Sequence, residues 1–110
     1  MHTVHYAPKD GNSLLIAAVI GIIFDTARYD TSIPQSTIDL IDSFFDSLTL
    51  DNLNDPTVEA IPFAKLMNSI DANNRWVYNG SLTTPPCTKN IYWNVVGTVY
   101  PIKKKHLDLF

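Results

Sequence analysis

A chain of 110 residues holds one domain at most, and at this size folding buries only somewhat more than about 60% of the unfolded surface. Hydrophobic residues make up 45% and charged residues only 17%, with a net charge of −3, which suits a packed globular segment and gives no electrostatic ground for binding nucleic acid. The apolar run over residues 14–24 is interrupted by Gly21 and is too short for a bilayer, which takes about 20 apolar residues, so no membrane span is predicted. Met1 is followed at once by His2 with no charged and apolar leader, so no signal peptide is predicted within the chain either.

Residues 1–6 alternate as a strand, with His2, Val4 and Tyr6 on one face and Thr3 and His5 on the other. Two histidines so placed cannot share a metal, and each alone reads as an ordinary core or surface residue. Residues 7–12 form a loop marked by Pro8 and Asp10-Gly11-Asn12. Residues 13–24 are nearly all apolar and β-branched, which predicts a strand buried on both faces. After a polar turn over 28–32, Ile38, Ile41, Phe44, Phe45 and Leu48 recur at helical spacing and predict an amphipathic helix over 34–47. Ser32 and Gln35 are placed for a capping box, and Asp39, Asp42 and Asp46 read as solvated charges on the opposite face. Residues 50–58 read as a loop, 60–68 as a short helix or turn built on Pro62, and 71–75 as a break. Residues 90–96 alternate and are rich in β-branched and aromatic side chains, a strand that continues over 97–100. Residues 101–110 look like the start of a helix, with Lys103-Lys104-Lys105 solvated and His106 on the surface.

The chain is organised around Tyr78-Asn79-Gly80-Ser81-Leu82-Thr83-Thr84-Pro85-Pro86-Cys87, with Trp93 six residues beyond. Two hydroxyls in tandem ahead of a Pro-Pro pair make a stiff loop feeding a strand, which composition alone leaves open as a structural turn or an active-site loop. The unbroken run from Gly80 to Pro86, with Trp93 seven residues after Pro86, closely resembles the signature of the α-class carbonic anhydrases. That resemblance implies a fold that is mainly β with short helices (α+β), part of a large twisted and mostly antiparallel central sheet flanked by helices. It covers the C-terminal half of such a domain, so residues 1–110 are expected to be a partial carbonic-anhydrase-like domain.

The resemblance also implies roles. Thr83 takes the place of the threonine that accepts a hydrogen bond from a zinc-bound hydroxide and passes its own proton to a glutamate, with Thr84 beside it; Leu82 and Trp93 wall the apolar side of the substrate pocket. Met1 to Tyr6 follows the family pattern Leu-His-x-Val-His-Trp with conservative replacements. His2 then corresponds to the third zinc ligand, Val4 to a pocket residue and His5 to a buried hydrogen-bonding residue facing the other way. Val19 matches a second pocket valine, and Ile91 stands where many members carry a smaller valine, narrowing the pocket slightly. Zn2+ is the implied cofactor, and carbon dioxide and bicarbonate are the implied substrate and product. The His-x-His pair that supplies the other two ligands, the acceptor glutamate, the acidic residue that orients His2 and the proton-shuttle histidine have no counterpart in the chain. Activity is therefore expected only where a complementing chain or upstream segment supplies them. A carbonic-anhydrase-like structural or interaction module that has lost catalysis is the alternative, and exposed sheet edges would favour association in either case. Cys87 stands where secreted and membrane-anchored relatives form a disulfide to a cysteine near the domain's N-terminus, and it is the only cysteine here. Asn79-Gly80-Ser81, where the family usually has Pro in place of Asn79, is a formal glycosylation sequon, and a glycan there is expected to collide with the pocket loop.

Overall fold

In the computed structural model the structure describes residues 1–8, 14–49 and 60–110. The loop expected over 50–58, and most of that over 7–12, lie outside the described residues. Four strands, β1 (His2–Tyr6), β2 (Ala17–Asp25), β3 (Arg75–Ser81) and β4 (Lys89–Pro101), form one sheet in the order β1-β2-β4-β3. The β1–β2 and β3–β4 pairs are antiparallel. The central β2–β4 pair runs parallel: Ile16 N–H donates to the Asn90 carbonyl beside the first residues of both strands, and Ile102 N–H donates to the Asp25 carbonyl beside their last. The chain divides into two compact units, Met1–Ile23 with Ala72–Thr98 and Phe24–Asp71 with Val99–Phe110.

In the first unit the sheet carries its core on one face, where Ala17, Val19, Ile91 and Trp93 are buried and Leu82 and Val95 pack against them. β2 is less uniformly buried than its apolar run predicts, since Ile23 is 47% exposed and Ile16 just ahead of it 43%. Asn90 is the extra residue of a bulge, because Gly80 pairs with Ile91 but Ser81 pairs with Lys89, and it takes φ +64, a conformation asparagine tolerates well.

The second unit holds α1 (Gln35–Asp46), α2 (Phe63–Ser69) and the single turn α3 (Lys104–Leu107). The predicted capping box is not formed. Pro34 is the N-cap, and Ser32 is held by Asp30, to whose Oδ1 its backbone N–H and hydroxyl both donate at 2.8 and 2.7 Å. Gln35 thus stands at the first helical position rather than the third, and its Nε2 donates to Asp39 Oδ1 at 2.8 Å. Phe45 centres the aromatic packing, with Phe24, Phe44 and His106 at ring-centroid distances of 5.3, 5.3 and 5.5 Å.

Two expectations about charge are corrected in this unit. His106 is 2% exposed rather than on the surface, and Asp42 is buried on α1 rather than solvated. Lys103 Nζ pairs with Asp42 Oδ2, so Asp42 meets a cation where it leaves water, and buried His106 Nε2 lies 3.4 Å from Asp42 Oδ1 without a hydrogen-bond partner among the described residues. Lys105 Nζ donates to Asp46 Oδ1 at 2.7 Å, which holds that exposed carboxyl below the usual range. The lysine run is exposed as expected, but its three members lie against Asp42, Asp108 and Asp46.

Candidate functional site

Strand parity assembles the candidate site on one sheet face. In β1 and β2, His2 pairs with Gly21 and Val4 with Val19; in β3 and β4, Tyr78 pairs with Trp93 and Gly80 with Ile91. Directly opposed residues share a face, so His2, Val4, Val19, Ile91 and Trp93 line up across the sheet. The His2 and Trp93 rings meet edge to face at a centroid distance of 4.9 Å, although β2 runs between their strands. Gly21 permits this contact. A Cβ on it would lie 3.7 Å from His2 Cδ2 and 3.9 Å from Trp93 Cζ3, so any longer side chain would occupy the space where the rings touch.

Trp93 also fixes the mouth of the loop. Its Nε1–H donates to the Ser81 carbonyl at 2.9 Å, and Tyr78 stacks parallel to it at 6.0 Å. Leu82 follows, packed on the buried cluster, and its N–H donates to the Thr88 carbonyl at 2.9 Å, closing the loop at its base. Cys87 N–H donates to the Thr84 carbonyl, Cys87 has φ +56, and the Pro85–Pro86 peptide is cis. Thr83 and Thr84 are exposed on this tethered loop.

His2 is exposed, yet partial desolvation and, secondarily, the Met1 ammonium lower its pKa from 6.5, favouring the neutral imidazole that can donate a lone pair. The Met1 ammonium is itself anchored to the Ile22 carbonyl at 2.9 Å and is made less basic by burial. Val4 remains 43% exposed, so the apolar surface is open at its β1 end. His5 faces the other way as expected, but it is exposed rather than buried. Its Nε2 lies 3.2 Å from Thr3 Oγ1, and it lines an open groove of about 500 Å³ with Ala18, Ile20, Arg75 and Asn94 among others. Among the described residues no three His, Cys, Asp or Glu side chains converge on a common point.

A family model for the eukaryotic-type carbonic anhydrases matches residues 1–110. The chain belongs to this family. It is 34% identical over 99 residues to alpha carbonic anhydrase 2 of Arabidopsis thaliana, covering 90% of this chain and 36% of that one. A fungal α-carbonic anhydrase structure from Aspergillus oryzae superposes with a TM-score of 0.61 at 29% identity, over 98% of this chain and 42% of that one. The Thermovibrio ammonificans α-carbonic anhydrase, at 22% identity and a TM-score of 0.63 over 99% of this chain, shares the fold. The chain thus spans about two fifths of the length of the carbonic anhydrases it matches.

Six of the eight sequence-predicted site residues, His2, Val4, Val19, Leu82, Ile91 and Trp93, lie on or pack against one sheet face, while Thr83 and Thr84 occupy the loop that Leu82 begins. Gly21 and Tyr78 carry positions that the sequence reading did not assign. The signal for Gly21 is a glycine inside an apolar strand, which marks close approach by a neighbour.

Proposed function

We propose that this chain contributes one metal ligand, the apolar pocket and the hydroxyl loop of a zinc carbonic anhydrase, which interconverts carbon dioxide and bicarbonate with release of a proton. The observation that carries this reading is the contact of His2 with Trp93 beside Val19 and Ile91, which sets a basic nitrogen at the border of an apolar surface. The donors present fit one ligand position and not a whole site, since the described residues offer a single imidazole on this face. A zinc ion held by three protein ligands supplies a water of pKa about 7. The remaining ligands must come from outside the described residues.

The roles of the chain's own residues follow from their chemistry. His2, whose pKa is lowered by partial desolvation, offers a nitrogen lone pair to a metal, and its ring is oriented by the Trp93 edge contact. Val4, Val19, Leu82, Ile91 and Trp93 give carbon dioxide an apolar surface that competes with water poorly, with Ile91 filling more of it than a valine would. The Thr83 hydroxyl can accept one hydrogen bond while donating another, which suits it to orienting an oxygen nucleophile. Thr84 anchors the loop, its carbonyl accepting from Cys87 N–H.

Residues 1–110 on this reading are the C-terminal portion of the catalytic domain. Among the described residues β1 and β3 are the outer strands of the sheet and no strand pairs with their outer edges, and Tyr6, Trp76 and Tyr78 are exposed, which favours pairing with a complementing chain or a second copy. The test is to combine the chain with the N-terminal portion of a family member that carries the His-x-His pair, and to follow carbon dioxide hydration and bound zinc. His2→Ala should lose both, whereas Thr83→Ala should keep zinc and lose about 10- to 100-fold in rate. Unchanged zinc and rate in His2→Ala would overturn the proposal. A chain that sediments alone as a monomer at high concentration and binds no hydrophobic dye would contradict the open-edge reading.

A further inference from the structure

The sequon Asn79-Gly80-Ser81 is left unused by the proposed chemistry, and its place in the sheet gives it a separate meaning. Asn79 lies on β3, the outermost strand on that side of the sheet, and pairs with Tyr92, while its neighbour Tyr78 pairs with Trp93. Successive strand residues point to opposite faces. Tyr78 stacks on Trp93 on the pocket face, so Asn79 projects to the opposite face, the one that Arg75 occupies when its Nε donates to Asn94 Oδ1. The register shift comes only between Gly80 and Ser81, so this parity holds through Asn79. Asn79 is exposed, and it borders an open groove of about 460 Å³ with Gly80, Ser81, Lys89 and Asn90.

We propose that Asn79 is an acceptor for an N-linked glycan, carried on the sheet face opposite His2, Val19 and Trp93. The collision with the pocket loop expected from sequence does not follow from this geometry. Leu82 packs onto the pocket face, whereas Asn79 departs from the other face of β3. In the transfer, Asn79 Nδ2 attacks C1 of a lipid-linked oligosaccharide diphosphate. The N–C1 bond forms as the C1–O bond breaks, the lipid diphosphate leaves with the electron pair, and the amide proton passes to a base of the transferase. Ser81 supplies the hydroxyl that the motif requires two residues on. Its side chain is free of the structural task at this position, because it is the Ser81 carbonyl that holds Trp93.

The test directs the full chain into the lumen of the endoplasmic reticulum behind a cleavable leader, with an appended Asn-Ala-Thr tag reporting entry. The expected result is two glycans on the tagged chain, removed by peptide N-glycosidase, and one in each of Asn79→Gln and Ser81→Ala; Ser81→Thr should raise occupancy. The glycosylated chain should keep the far-ultraviolet circular dichroism of Asn79→Gln. A chain glycosylated at its tag but never at Asn79 would overturn the proposal. So would loss of sheet signal on glycosylation.

Discussion

Trp93 is where the pocket wall and the loop are joined, and replacing it separates two contributions. Trp93→Phe keeps an aromatic ring against Val19, Ile91 and His2 but removes the Nε1–H bond to the Ser81 carbonyl. A protein hydrogen bond contributes about 1 kcal/mol net, and the half-buried Ser81 carbonyl can recover part of that from water. Trp93→Ala deletes the whole side chain from a site only 5% exposed, at a cost of about 3–5 kcal/mol for a buried aromatic. Small domains have about 5–15 kcal/mol in total, so the alanine variant should lose about a fifth or more of its stability. With a urea dependence of about 1–3 kcal/mol per molar, the phenylalanine variant should unfold at a midpoint lower by a few tenths to about 1 M, and the alanine variant lower by several times that. Circular dichroism in a urea series reads both. A phenylalanine midpoint equal to that of the parent, together with an alanine loss below about 1 kcal/mol, would show that Trp93 does not hold the pocket face together.

Gly80→Ala should also destabilise, by about 1–2 kcal/mol, because its Cβ would fall 3.0 Å from Tyr78 Cε2 and 3.1 Å from Trp93 Cδ1; a urea midpoint at or above that of the parent would contradict the close approach. In the second unit, Asp42→Ala removes the carboxylate that pairs with Lys103 and lies beside buried His106, and should lower the thermal midpoint; an unchanged midpoint would contradict a structural role for that pair. The His2 imidazole should titrate below 6.5 by nuclear magnetic resonance. Folding depresses that pKa, so the unfolded chain binds more protons between the folded value and 6.5, and stability should fall as pH drops through that window; a titration midpoint at or above 6.5 would contradict the desolvation.

Strand alternation makes β1 and β4 legible in the sequence, because a period of two fixes which side chains share a face and a one-residue slip would reverse every one; β3 is not, since its residues run from an expected break into the expected loop and are mostly exposed. The same parity brings His2 and Val4 to one face, whereas Val19 joins them only through the β1–β2 register, which sequence alternation does not give. α1 is legible from Ile38, Ile41, Phe44 and Phe45, but its start is not, since whether Ser32 caps the helix depends on a competing carboxylate from Asp30. Asp42 illustrates a different limit. Ile38, Asp42 and Phe45 fall at i, i+4 and i+7, which puts Asp42 on the apolar stripe by geometry, yet its charge makes solvent the default until Lys103 and His106 arrive from 61 and 64 residues further along the chain. The contact of His2 with Trp93 is likewise non-local, because it needs two strands in register with a third and a glycine between them.

The most direct test of the account is a zinc titration of the chain combined with the N-terminal portion of a family member, followed by nuclear magnetic resonance of histidines labelled only in this chain. With three histidines in the sequence, the assignment is unambiguous. His2 should shift and saturate at one zinc per complex, while His5, on the opposite sheet face, and His106, buried in the second unit, stay unchanged. A titration in which His2 stays fixed while His5 or His106 responds, or in which none of the three does, would contradict the assignment of the pocket face as the metal side of the sheet.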